Sequence, residues 1–149
     1  MSSITYSVKG RNESATRFVA SARQFQLIID EPEESGGTDQ APNPVEYLLA
    51  AYAGSLNVMA HIVADELNIT LRSLDIEIEG DLDLSRVFGK PTVNRPGYQD
   101  IRVKITPDTD ATARELEVWV ETLESRCPIF DNLMNPTPIS IEVGAAVAL

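Results

Sequence analysis

The chain has 149 residues, 43% of them hydrophobic, with 12 lysines and arginines against 23 acids and a formal net charge of −11. That length suits one domain of ordinary size, able to bury roughly 70% of the surface of its unfolded chain without a disulfide or metal clip. The acidic balance argues against nucleic acid and an anionic membrane as partners, because phosphates are repelled over most of such a surface, and the single cysteine, Cys127, excludes an intrachain disulfide and fits a reducing, cytoplasmic setting.

The start, "MSSITYSVKGRNESATR", has no apolar run after its charges and does not read as a signal peptide. Loose alternation in "ITYSVKG" and "TRFVASARQFQLIID" predicts two or three strands of a meander over residues 1–30, with polar turns near 10–14 and 21–24. A turn-rich loop, "EPEESGGTDQAPN", leads to a helix start: Asn43 can cap, Pro44 suits the first helical position, and Glu46 completes a capping box. The helix is predicted over 44–67, with Asn68 as its stop. Its sequence, "PVEYLLAAYAGSLNVMAHIVADE", is apolar on nearly all sides, which predicts burial on nearly all sides. Glu46, Asn57 and His61, and the lack of basic flanks, mark it as a core helix and not a membrane span.

Residues 71–149 supply the rest. "TLRSLDIEIEGDLDL" and "YQDIRVKITPD" alternate as strands, joined by "SRVFGKPTVNRPG". A second helix is expected to open at Asp110, with Leu116, Trp119, Val120 and Leu123 on one stripe. A short helix follows Cys127 and Pro128, and "PTPISIEVGAAVAL" reads as a closing strand. Strands, helix, strands, helix, strand describe one α+β domain over 1–149, a long helix packed across a largely antiparallel sheet.

At about 100° per residue, Ser55 shares a helix face with Leu48, Tyr52, Met59 and Ile62, while Glu46, Asn57 and His61 lie opposite. The small residues Ala50, Ala51, Ala53 and Gly54 allow a second helix to approach closely, within the domain or across a dimer. Ser55 is either a small core residue bonded back to a carbonyl one turn earlier or a group with a task. His61 reads as a hydrogen-bonded core or interface residue. One histidine and one cysteine without matched spacing do not make a metal site, and no cofactor is expected. Cys127 falls at the cap of the short helix, where N–H groups and the helix dipole favour a negative sulfur beside Arg126. It is either a reactive thiol or an inert cysteine beside a turn proline.

Three segments in this order, "DEPEESGGTDQAPNPVEYLLAAYAGS" at 30–55, "LNITLRSLDIEIEGDLD" at 67–83 and "RCPIFDNLMNPTPISIEV" at 126–143, resemble the OsmC/Ohr family, the osmotically inducible protein C and organic hydroperoxide resistance proteins. The resemblance implies an α+β fold in an intertwined homodimer, with the long helices at its centre and two sites at the subunit interface. Members reduce organic hydroperoxides with a peroxidatic cysteine on the central helix and a resolving cysteine at the later CP. Ser55 stands where "AGC" is usual, and Cys127 matches the resolving position. A serine hydroxyl cannot form the sulfenic acid and disulfide of that cycle.

The resemblance therefore implies weak or absent peroxidase activity. The alternatives are a binding protein for a small hydrophobic ligand and a one-cysteine peroxidase using Cys127. Leu48, Tyr52 and Met59 are the expected walls of a pocket for a hydrophobic hydroperoxide or ligand, and an external dithiol is the implied reductant. The glutamate of Ohr-type members falls on Val45, so Glu46, one residue later, is a weak substitute. Arg17 is preferred over Arg11 and Arg23 as the family's arginine because it opens an apolar strand.

Overall fold

The amino-terminal third folds as a meander because its apolar residues alternate and its polar clusters allow reversals. Strands β1 (Lys9–Asn12), β2 (Phe18–Ala22) and β3 (Phe25–Ile29) form an antiparallel sheet in that order, with Arg11 opposite Val19 and Val19 opposite Ile28. The structure, a computed structural model, describes residues 3–144. The β2–β3 reversal places Arg23 in the left-handed region at φ 57. The first strand is shorter than expected: residues 3–8 are in no ladder, and Ile4, Tyr6 and Val8 are exposed. Alternation makes a segment competent to pair, but a strand also needs a neighbour.

The loop after β3 is organised from beneath. Asp30 is wholly buried, and one of its carboxylate oxygens accepts from the Thr38 N–H at 3.1 Å, the Thr38 hydroxyl and the Gln40 N–H. Those donors, led by the Thr38 hydroxyl, hold the carboxyl well below the usual range. One oxygen of this buried carboxylate gathers the loop donors and so fixes the path of residues 31–42 into the next helix, while Oδ1 is buried without a hydrogen-bond partner among the described residues.

Helix α1 spans Pro44–Glu66. Its start is the expected capping box, with Glu46 N–H donating to Asn43 Oδ1 and Asn43 N–H to Glu46 Oε2, both at 2.9 Å. It ends where Asn68 turns left-handed at φ 57 and the Ile69 N–H donates to the Ala64 carbonyl. Burial departs from expectation. Only the stripe Tyr52, Leu56, Ala60, Val63 and Ala64 is buried, whereas Leu48, Val58 and Ile62 are 40%, 56% and 42% exposed. One chain supplies partners for one face of this helix. By length and composition α1 could cross a bilayer, yet Ala60, Val63 and Ala64 belong to a packed core.

Strands β4 (Leu71–Leu82) and β5 (Tyr98–Thr109) form a two-stranded ribbon. In β4, Leu74, Ile76 and Ile78 are half-buried and alternate with exposed Asp75, Glu77 and Glu79, the period of a sheet with one wet face. Arg102 pairs with Asp81 and Lys104 with Glu77 across the ribbon. Helix α2 (Ala113–Arg126) is capped by Thr112 in a box with Glu115, not by Asp110, whose carboxylate instead pairs with Arg72 at 2.7 Å. Helix α3 (Pro128–Met134) follows directly. The closing strand is not formed over residues 136–144, where Ile139, Ile141 and Val143 are more than four-fifths exposed; its last part, 145–149, lies outside the described residues.

Two compact units result: the chain up to Ala51 with Ile78–Val103, and Tyr52–Glu77 with the chain from Lys104. In the second unit Ala60, Val63, Ala64, Ile69, Trp119 and Leu123 form the core, flanked by Leu71, Leu74 and Ile105 of the ribbon. The Trp119 indole donates to the Ala60 carbonyl at 3.0 Å, so the largest core side chain is also satisfied.

Candidate functional site

Seventy-two positions apart in sequence, the Ser55 hydroxyl and the Cys127 sulfur meet at 3.2 Å. Two local causes bring them there. Cys127 closes α2, donating its N–H to the Leu123 carbonyl at 2.9 Å, and also caps α3, where its sulfur accepts from the Phe130 N–H at 3.5 Å. Pro128, with no N–H to lose at the first helical position, makes so abrupt a joint between helices tolerable. Ser55 falls at the edge of the buried stripe of α1 and is half-buried, while Cys127 is 1% exposed.

The neighbourhood is aromatic. Tyr52, one turn before Ser55, stacks on Phe130 with ring centroids 6.3 Å apart and planes 26° from parallel. Burial, with smaller contributions from Cys127 and Glu124, pushes the Tyr52 phenol above its usual range. The site thus pairs a hydroxyl with a thiol whose sulfur accepts from the Phe130 N–H at the start of α3.

The other sequence-derived candidates are distributed differently. Arg17 donates to Glu13 Oε2 at 2.7 Å and to Gln40 Oε1 at 2.6 Å. Glu46 is engaged in its capping box, and the Val45 carbonyl accepts from the Tyr98 hydroxyl at 2.9 Å. Arg126, adjacent to Cys127 in sequence, turns instead to Glu66, with Nη2–Oε1 at 3.1 Å; that pairing lowers the Glu66 carboxyl and raises the guanidinium. Among the described residues, no cationic side chain is hydrogen-bonded to Ser55 or Cys127.

Of the three expected pocket residues, Tyr52 lies beside the pair, Met59 packs on the core of the second unit, and Leu48 is exposed. His61 is exposed too, its Nδ1 2.8 Å from the Asn57 carbonyl of its own helix, which departs from a core residue. No group of three or more histidine, cysteine or acidic side chains suited to a metal occurs among the described residues. Phe130 was not singled out from sequence. Its place three residues after a capping Cys127 was the available signal, since that position offers its N–H to the cap.

Comparison with known proteins places the chain in a family. The family model for OsmC-like proteins matches residues 37–142. Among solved structures, an OsmC-like protein from Mycoplasma pneumoniae superposes with a TM-score of 0.77 at 19% identity, over 89% of each chain. An organic hydroperoxide resistance protein OsmC from Legionella pneumophila gives 0.64 at 20%, over 89% of this chain and 91% of that one. The organic hydroperoxide resistance protein OhrB of Bacillus subtilis gives 0.57 at 19%, over 89% and 93%. A search of curated protein sequences found no match. The α+β architecture is shared with these structures, and the match over more than half its length makes this chain a member of the OsmC-like family.

Proposed function

We propose that this chain is an OsmC-type relative of the thiol-dependent organic hydroperoxide reductases in which Ser55 occupies the place of the oxidised thiol, leaving little or no peroxidase activity. The observation that carries the reading is the 3.2 Å separation of Ser55 Oγ and Cys127 Sγ. A sulfur in place of that oxygen would need only a small side-chain adjustment to reach the roughly 2.05 Å of a disulfide. The reaction that such a pair performs balances simply. One thiolate attacks the distal oxygen of the hydroperoxide, the O–O bond breaks, an alcohol leaves, and the resulting sulfenic acid condenses with the second thiol, releasing water; an external dithiol then reduces the disulfide. A hydroxyl at position 55 has no counterpart to the first step.

The burial of Cys127 weighs against a one-cysteine cycle, since the buried partner would have to meet the peroxide while the half-buried position carries oxygen. A cytoplasmic homodimer completes the proposal. What supports the second copy is the uncovered apolar face of α1, at Leu48, Val58 and Ile62, and the exposed alternation of Ile139, Ile141 and Val143, which has the period of a strand awaiting a neighbour. The small hydrophobic substrate would approach beside Tyr52. From the resemblance, Arg17 is proposed as the arginine that serves the reaction, and Glu46 is proposed to act through its helix cap.

Consumption of an organic hydroperoxide with a dithiol reductant tests this in the unmodified protein, Ser55→Cys, and Ser55→Cys with Cys127→Ala. The expected order is background, turnover, then oxidation without rapid recycling. Turnover by the unmodified protein that is lost in Cys127→Ala would favour the one-cysteine cycle instead.

A further inference from the structure

We propose that the tip of the β4–β5 ribbon, residues 83–97, docks on an anionic lipid surface. The inference does not depend on the reading of Ser55. This connector carries Val87, Phe88 and Val93, which are 62%, 60% and 101% exposed. Exposed apolar side chains in a loose loop would carry little meaning, but this loop is built. The Asp83 carboxylate accepts from the Ser85 N–H at 2.9 Å and from the Thr92 hydroxyl and the Asn94 amide at 2.8 Å. Arg86 ties the two limbs together through the Asn94 carbonyl at 3.1 Å and the Thr92 carbonyl at 3.3 Å. A tight turn closes on Gly89, whose φ of 67 is in the left-handed region that glycine occupies without strain. The polar groups of the connector are spent inward to hold apolar groups outward, which lowers the ordering cost of inserting them into another phase.

Charge selects the phase. Arg86, Lys90 and Arg95 are interleaved in sequence with the exposed apolar residues, and the one acid of the connector, Asp83, accepts hydrogen bonds from within the connector. Lys90 and Arg95 pair with no carboxylate among the described residues. The chain as a whole is at −11, which would repel anionic lipid, but the burden is uneven. The unit that holds this loop has 8 lysines and arginines against 11 acids, the other 4 against 12. At physiological salt a charge acts over about 8 Å, so the groups at the tip dominate near a bilayer. Exposed apolar side chains interleaved with basic residues suit the soft interface of a membrane, where chain insertion and attraction to lipid phosphates add.

Flotation of the full chain with vesicles tests the proposal, comparing phosphatidylcholine alone with phosphatidylcholine containing phosphatidylglycerol. Binding is expected on the mixed vesicles and weakly on the neutral ones. Two double variants should each lower it, on the order of tenfold or more: Val87→Ser with Phe88→Ser, and Lys90→Glu with Arg95→Glu. Circular dichroism and hydrodynamic mass serve as controls on folding. No flotation of the unmodified chain on anionic vesicles overturns the proposal. So does flotation that both variants leave unchanged. A changed hydrodynamic mass in the apolar variant also overturns it, because a second copy of the chain would then be what covers the tip.

Discussion

The two faces of α1 have nearly the same chemistry and different fates. One face, Tyr52 through Ala64, is covered by α2 and the ribbon, with the Ala60 carbonyl receiving the Trp119 indole. The other presents Leu48, Val58 and Ile62 to solvent, and a Cβ added at Gly54 would meet nothing within 4 Å. Apolar periodicity states a demand for burial; it does not say which surface meets the demand. Ser55 lies where the two faces adjoin, half-buried, one side toward Cys127.

The covered face should break first. Trp119→Ala removes the 2%-exposed indole and its bond to Ala60, and should cost roughly 3–5 kcal/mol in urea unfolding. A loss under 1 kcal/mol would mean that this face is packed less tightly than described. The uncovered face gives a test of opposite sign. A Cβ at Gly54 meets nothing within 4 Å, and Gly54→Ala removes a helix glycine, so an isolated chain should gain roughly 0.5–1 kcal/mol. If a second copy covers that face, the same change should weaken assembly about tenfold or more, read as sedimentation at lower mass on dilution.

Smaller effects sharpen the ends of the helix. Asn43→Ala deletes half of the capping box and should cost about 1 kcal/mol, with little change in hydrodynamic mass. At the far end Arg126 holds the Glu66 carboxyl below its usual range. A carboxyl lowered by folding adds stability above the unfolded value, near pH 4.3, and that contribution is lost as pH falls through the lower folded value. Arg126→Gln should therefore lower stability slightly at neutral pH and flatten its decline below about pH 4, measured by urea unfolding across that window.

Local signals made most elements legible. The capping residues around Pro44, the alternation of Leu74, Ile76 and Ile78, and the stripe through Leu116, Trp119 and Leu123 each mark their element within a few residues of its observed bounds. Sequence failed where a partner decides the outcome. Residues 3–8 and 136–144 have strand alternation but no ladder to join, and Asp110 looked like a cap until Arg72 claimed it. The proximity of Ser55 and Cys127 follows from no spacing rule, because a cap after α2 and a turn in α1 are brought together only by tertiary packing. It was legible through resemblance alone.

The most direct measurement is made on Ser55→Cys: intact mass after one equivalent of an organic hydroperoxide, before and after reduction. The account predicts quantitative loss of two hydrogens per chain, one equivalent of alcohol released, and full reversal by dithiol, with the unmodified protein unchanged in mass. A folded Ser55→Cys that gains oxygen atoms instead, or remains unmodified, would contradict the claim that one atom at position 55 separates this protein from a working thiol pair.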